Sequence, residues 1–349
     1  MTDGPPPPPP GKMWPSHARL LAGLRWARRG ALILAAFAVA DYLVLPQIAG
    51  TRKAIQLLDT ISPWWALTAV GLEALSLVSY SLITRHVWPD RPPSFAWLIR
   101  TDITGLGVSH LLPGGAATAT ALRYRLLREG GIPAEGTAIG MALEGVGSNL
   151  VLVALWWLAL VTSIPLGGLH PLYVSAALSG VIVVAATPIV IYLHAQGRTG
   201  GRSPLGPLVH LVPVRYRPRM ARAVRRGEAQ LRQVLADKRT LRACGMWSSG
   251  NWLLDAASLW VFLAAYGHVI NPDSLLVAYG IANVAAIVPV SPGGLGIIEA
   301  LLIPSLVGFG TPRAIAVLAV VSWRLFNFWA PIPTAGLCYL SLRTQRWFT

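Results

Sequence analysis

The sequence predicts an all-α integral membrane protein: about six full spans and two opposed re-entrant helical hairpins, arranged as an inverted-topology repeat. Three observations carry this prediction. The 349 residues are 54% hydrophobic and 12% charged, whereas soluble domains carry roughly 25% charged residues. The motif Pro113-Gly114-Gly115 returns 179 residues later as Pro292-Gly293-Gly294. The Lys and Arg residues gather at the ends of apolar runs that fall on one side of a membrane.

The 179-residue spacing also takes Gly71 to Gly250, Ser79 to Ser258, Pro93 to Pro272, Gly131 to Gly310 and Pro133 to Pro312. Most of these residues shape backbone, and their register holds without a gap. An internal repeat in so apolar a chain points to a transporter-type architecture, in which two related halves enclose a central pathway.

Residues 1–15, with six consecutive prolines from Pro5, read as a disordered polyproline tail on the cytoplasmic side. Residues 16–342 form one transmembrane domain. Its first span is Ala31–Leu45, uncleaved because the preceding stretch is too long and proline-rich for a signal peptide. Repeat one covers 62–194, with spans near Ser62–Thr84, Thr137–Ser163 and Leu172–His194. Repeat two covers 245–342, with spans near Gly245–Tyr266 and Arg313–Leu342, the latter interrupted by Pro331 and Pro333. Residues 343–349 are a cytoplasmic tail. Each repeat also holds a stretch broken at its centre by Pro-Gly-Gly, Phe95–Leu126 and Ser274–Gly308. Each half of these stretches is too short to cross the roughly 30 Å hydrocarbon layer at 1.5 Å per residue. Such segments read as hairpins that dip in and return; treating each half as a full crossing keeps the hairpin ends on the same side, so charge does not choose between the two.

Charge counting sets the sidedness. Five basic residues precede the first span, twelve lie in the 195–244 loop, and Arg85, Arg91, Arg100, Arg123, Arg125, Arg128, Arg343 and Arg346 join them on the cytoplasmic side. Only Arg52, Lys53, Arg313 and Arg324 fall elsewhere. The expected location is the plasma (inner) membrane with both termini cytoplasmic. Equivalent points of the two copies are then three crossings apart, so the second copy is upside down relative to the first. The net charge of +15 sits beside spans, which argues against nucleic acid as the partner. In the loop, Met220, Val224, Leu231 and Leu235 recur at helical spacing among arginines, a basic amphipathic helix suited to anionic inner-leaflet lipids.

The candidate site residues fall into two groups. Gly114, Gly115, Gly293 and Gly294, with Ser291, form the hairpin tips. Backbone turning inside a membrane needs unusual dihedrals, and a half-helix starting there directs its positive end at an anion. Ionisable residues inside spans form the second group, because they are costly there. Glu73 and Asp255 lie near mid-span, roughly 16 Å deep at 1.5 Å per residue. Glu144 sits in the inner half of the third full-length span, Glu299 opens a half-helix and Arg324 lies in the last span. Arg123 lies at a cytoplasmic edge, where it serves either as a headgroup grip or as a topological anchor. Asp41 and Asp102, nearer the faces, read as structural. The sequence lacks an Asp-x-Asp pair, a Walker loop, Cys/His metal spacing and a Gly-x-Ser-x-Gly elbow. No catalytic residue, metal or cofactor is expected.

Leu111-Leu112-Pro113-Gly114-Gly115 followed by Arg123 and Arg128-Glu129-Gly130-Gly131-Ile132-Pro133 resembles the first signature of the lysylphosphatidylglycerol synthase/flippase transmembrane family. Val290-Ser291-Pro292-Gly293-Gly294-Leu295-Gly296 with Glu299 resembles its second, and Trp323-Arg324 with Trp329 resembles its last-span motif. The likeness covers about residues 30–342. It departs at the third full-length span, where members often show Glu-Arg and this chain has Glu144-Gly145. An ion pair there is either missing or supplied by another helix. The chain ends at Thr349 without a soluble aminoacyl-transfer domain, so the resemblance is to the translocating part alone and implies no synthase activity. It implies movement of a phospholipid or polyprenyl-phosphate-type lipid with an anionic or aminoacylated headgroup. Two other readings stand beside it: a membrane enzyme transferring a glycosyl or acyl group to or from a lipid-linked donor, and a scaffold for an envelope-synthesis enzyme. Partners beyond lipid would be a second copy or a separate lipid-modifying synthase. Glu299 and Arg324, opposite in charge, are expected to gate the pathway. Glu299→Gln and Arg324→Gln should each abolish transport at near-normal protein levels.

Overall fold

The computed structural model describes residues 63–88, 93–111, 115–167, 237–287 and 291–345. The expected spans Ala31–Leu45 and Leu172–His194, the proline-rich tail and the amphipathic stretch around Met220–Leu235 lie outside the described residues. What is described is helical, with no strand among the described residues. In chain order the helices are α1 Pro63–Val87, α2 Phe95–Leu111, α3 Gly115–Glu129, α4 Ala134–Gly167, α5 Lys238–Ala265, α6 Pro272–Ala286, α7 Ile297–Gly308, α8 Arg313–Arg324 and α9 Pro331–Gln345. A 3₁₀ turn, Pro292–Gly294, precedes α7, and a π turn, Leu325–Trp329, joins α8 to α9.

These elements repeat at the spacing read from the sequence. Adding 179 carries α1 onto α5, α2 onto α6, α3 onto α7, and α4 onto the run from α8 through α9. The agreement extends to single hydrogen bonds. The first hairpin ends with Gly131 N–H donating to Arg128 O (3.1 Å) and Ile132 N–H to Leu127 O (3.2 Å). The second ends with Gly310 to Val307 O and Thr311 to Leu306 O, both 3.0 Å. Both are Schellman closures, which need a left-handed residue; Gly131 has φ 98° and Gly310 φ 92°. Proline follows in each case, Pro133 and Pro312, because it cannot continue a helix yet suits the start of the next.

Helix α1 turns polar residues inward and large apolar ones outward. On α1, Glu73, Ser76, Ser79, Ser81 and Thr84 are buried, while Trp64, Leu67 and Leu75 are exposed. Water would favour the reverse arrangement; a lipid surround favours this one. Among the described residues, three helical stretches are long and apolar enough to cross a membrane: Pro63–Val87, Gly140–Ser163 and Arg313–Thr344. Trp64 and Trp65 stand exposed at the start of α1, as aromatic residues do where hydrocarbon meets headgroups.

Helices α1 and α5, equivalents under the repeat, pack on each other along much of their length and run antiparallel. Ser76 Oγ donates to Asn251 O (2.9 Å), Asn251 Nδ2 donates back to Ser76 O (3.1 Å), and further along Ser258 Oγ donates to Ala69 O (3.1 Å). Small residues, with Gly250 facing Ser79, let the two backbones come close, which is how apolar-solvated helices gain contact area. The first arm of each hairpin then packs on the long helix of the other copy. α2 lies on α9, where Gly107 sits so close that an added Cβ would be 2.3 Å from Ala335 Cβ. α6 lies on α4, where Ser163 Oγ donates to Asp273 Oδ2 (3.1 Å). This exchange holds the copies together.

Proline explains the break in the last span. Pro331 has no N–H to give to the carbonyl four residues back, and Ala330 N–H reaches five back, to Leu325 O, at 2.8 Å. The chain thus continues through a π turn rather than ending, and the turn presents Asn327 and Phe328 to the interior. Charged residues mark the start of α5. Asp237 caps it, accepting from Arg239 N–H at 2.9 Å and from the Thr240 hydroxyl. The hydroxyl bond, then the backbone one, hold this exposed carboxyl below its usual range.

Candidate functional site: two hairpin tips and their buried charges

The arms α2 and α3 form a true hairpin. Trp97 Nε1 donates to Leu126 O (3.1 Å) near its base, and at its tip an added Cβ on Gly115 would lie 2.8 Å from Ser109 O. Only glycine permits that approach. Gly114 lies outside the described residues. In the second tip, Gly293, Gly294 and Gly296 take φ of 52°, 70° and 84°, the left-handed region that favours glycine. Ser291 opens this turn, and its hydroxyl is buried without a hydrogen-bond partner.

The two tips touch. An added Cβ on Gly293 would be 2.5 Å from the ring of His110, in the last turn of α2, and 2.7 Å from Phe328. His110 stacks on Phe328 with ring centroids 4.4 Å apart, and its Nδ1 lies 3.0 Å from Phe328 O. The end of the first hairpin arm, the second tip and the π turn therefore meet at one place.

Buried charge surrounds that place. Arg324 Nε donates to Glu299 Oε1 at 2.5 Å, with both side chains at least 95% buried. Arg324 also reaches Gly293 O (3.3 Å) and Asn327 Oδ1 (3.4 Å), and its guanidinium lies 4.5 Å from the Phe328 ring centre. Glu299 also caps its own helix, because its Oε2 accepts from Gly296 N–H at 2.6 Å. That reach-back satisfies a donor at the start of α7, where the helix dipole favours a negative charge. The expected ion pair is therefore present, and it ties the tip to the last span.

Asn327 extends the network. Its Nδ2 donates to Asp255 Oδ1 (3.0 Å) and Glu73 Oε1 (3.3 Å). Asp255 accepts further from Trp323 Nε1 (2.7 Å) and Tyr279 OH (2.5 Å). Two mid-span carboxyls from equivalent helices, α1 and α5, thus share one pocket of donors.

The first copy has its own ion cluster. Arg123 Nε donates to Asp102 Oδ1 (2.8 Å), and Nη2 donates to both oxygens of Glu144 (2.7 and 2.8 Å) and to Thr84 Oγ1 (2.9 Å). This answers the Glu144-Gly145 departure: the partner of Glu144 comes from α3 rather than from the next residue. Asp102, read from the sequence as structural, is 5% exposed and paired with the same guanidinium. In both copies a buried ion pair joins the second hairpin arm to the helix that follows. The polarity reverses, with the cation on α3 in one copy and the anion on α7 in the other.

Sequence reasoning passed over Thr84, His110 and Tyr279. Motif logic weights charge and paired glycines, whereas these residues act through tertiary neighbours. Among the described residues no cluster of three or more His, Cys, Asp or Glu could hold a metal ion.

Apolar-coated helices around a buried, charge-bearing meeting of two glycine tips define a membrane protein with a charged cluster in its interior. The chain belongs to a known family of this kind: its residues 31–334 match the model for the lysylphosphatidylglycerol synthase TM region. It is similar to a UPF0104 membrane protein of Methanothermobacter thermautotrophicus, 26% identical over 87% of this chain and 91% of the relative. A second such protein of that organism is 25% identical over 85% of this chain and 91% of its own length. It also resembles inner membrane protein YbhN of Escherichia coli, 30% identical over a segment that is 28% of this chain. That segment spans 30% of the YbhN chain.

Proposed function

We propose that this protein moves a lipid across the plasma membrane, passing its anionic or aminoacylated headgroup through the polar centre while the acyl chains stay in the bilayer. The observation that carries the reading is the contact of the two tips at the Glu299–Arg324 pair. A headgroup needs a polar route, and a phosphate needs a cation or free backbone N–H groups to meet it. Arg324 and the glycine-rich turn offer both, closed by Glu299. Family membership, with its lipid-related name, agrees.

In this reading the hairpins are re-entrant and enter from opposite faces of an inverted repeat. The antiparallel packing of the equivalent helices α1 and α5 supports that inversion. So do the short arms: α2, the longest, has 17 residues, about 25 Å at 1.5 Å per residue. The termini are cytoplasmic by the distribution of Lys and Arg. The protein acts as a carrier, and group-transfer chemistry is left to other proteins.

Proteoliposomes holding purified protein and a trace of headgroup-labelled lipid test this. Phosphatidylglycerol, its aminoacylated form, a zwitterionic phospholipid and a polyprenyl phosphate should be compared. We expect protein-dependent loss of the label from one leaflet for at least one anionic or aminoacylated headgroup, and none for the zwitterionic lipid. Equal rates for every headgroup, or no movement of any, would contradict the reading.

A further inference from the structure

The translocation pathway accounts for Glu299 and Arg324 but gives no role to a second pair of buried acids. Glu73 and Asp255 are each 6% exposed, and one nitrogen, Asn327 Nδ2, donates to a carboxyl oxygen of each, at 3.3 and 3.0 Å, which brings the two groups side by side. Glu73 Oε1 receives a bond from Asn327, but Oε2 is buried with no donor. Two carboxylates can only accept. An acceptor facing an acceptor becomes a hydrogen bond when one of the two carries a proton, and burying two bare negative charges side by side is costly.

We propose that Glu73 and Asp255 form a proton-binding site that couples lipid movement to a proton gradient. The inference rests on the transport reading above. The bound species is a proton rather than a metal cation, because the pocket is lined by donors. Trp323 Nε1, Asn327 Nδ2 and the Tyr279 hydroxyl all direct hydrogens at the carboxyl oxygens. A sodium or calcium ion needs oxygen lone pairs facing it.

The coupling element is the Asn327 side chain. Its Nδ2 holds Glu73 and Asp255 while its Oδ1 accepts from Arg324. A headgroup phosphate that draws Arg324 from Glu299 also takes the partner of Asn327 Oδ1, so the amide turns and the carboxyl pair loses a donor. Occupation of the tip thereby changes how tightly the proton is held. Among the described residues, the other ionisable groups facing this assembly are Tyr279 from α6, Glu299 from α7, Arg324 from α8 and His110 from α2, the last against Phe328 of the same π turn. In each cycle the proton comes from water at one face, forms one O–H bond on the pair, and is released to water at the other. No electron transfer is involved.

Infrared spectroscopy and vesicle flux test this together. At neutral pH the wild-type protein should show the C=O stretch of a buried protonated carboxylic acid, which Glu73→Gln and Asp255→Asn should each remove. In vesicles under a voltage clamp, one proton per lipid means that a gradient of one pH unit sustains about a tenfold lipid asymmetry. Trapped pyranine should report proton movement with the lipid. Glu73→Gln keeps the shape of the protonated acid and should retain the wild-type unfolding temperature while losing the response to the gradient. Absence of the acid band in the wild type would overturn the proton site. Lipid movement that ignores pH, or that follows a sodium gradient, would overturn the coupling and leave the transport reading intact. No movement of any lipid under any gradient would overturn both.

Discussion

Arg324→Gln is expected to stop lipid movement and to lower the unfolding temperature, whereas Glu299→Gln/Arg324→Gln should recover the stability without the movement. The side chains of the pair are 2% and 5% exposed. Removing one partner of such a pair strands the other charge, at a cost of about 3–5 kcal/mol. Replacing both with neutral amides of similar shape leaves no stranded charge and is often close to neutral. In the double variant, the glutamine introduced at position 299 keeps an oxygen for the Gly296 N–H, so the start of α7 stays capped. The sequence alone points to near-normal amounts of each single variant; the burial of the pair argues for reduced amounts. Thermal unfolding in detergent, run beside the lipid assay, separates the two effects. Single variants as stable as the wild type would show that the pair is not closed in the resting protein. A double variant that still moves lipid would remove the pair from the pathway.

Arg123→Gln should be at least as damaging to stability. One guanidinium here serves Asp102, 5% exposed, and Glu144, 1% exposed, with Thr84 bridging the two carboxylates through bonds of 3.2 and 3.1 Å. Its loss leaves two buried carboxylates facing each other. The expected cost is at or above the roughly 3–5 kcal/mol of a single broken buried pair. Arg123→Lys should rescue little, because a single ammonium cannot reproduce the fork that spans two acids. Arg125 provides the contrast. It pairs with Glu129 one turn away with its side chain 59% exposed, and such exposed helix pairs are worth about 0.3–0.5 kcal/mol. Thermal unfolding of the three variants should therefore rank Arg125→Gln near wild type and both Arg123 variants far below it. Stable, well-folded Arg123→Gln would show that the acids reach water and that the cluster is open.

Much of this architecture is legible in the sequence because it depends on local backbone requirements. Gly131 and Gly310 are needed wherever a helix closes through a left-handed residue, so their 179-residue spacing survives as pattern. The Pro-Gly-Gly tips are visible for the same reason, and the cost of charge in lipid singles out Glu73, Asp255, Glu299 and Arg324. Partner choice is less visible. Nothing near Glu144 in the chain signals that its cation stands on α3, and nothing near Asp102 signals that the fold of α2 against α3 gives it the same guanidinium. The amide of Asn327 joins three helices, a role that depends on the π turn imposed by Pro331. Tyr279 looks like an ordinary apolar-span aromatic and Trp323 stands out only through the last-span motif; tertiary placement alone turns their O–H and N–H toward Asp255.

Transport by two opposed copies requires that their tips meet at a centre screened from both aqueous faces. Sided thiol labelling of Leu111→Cys and Ile287→Cys, in a background where Cys244 and Cys338 are replaced, measures this most directly. Both positions are exposed on the protein surface beside a tip, at 38% and 42%. With a screened centre, an impermeant reagent in intact vesicles labels neither at the rate of a free thiol from either face, while a membrane-permeant reagent labels both. Rapid labelling of Leu111→Cys from one face and Ile287→Cys from the other would mean that the arms cross fully and that no shared centre exists.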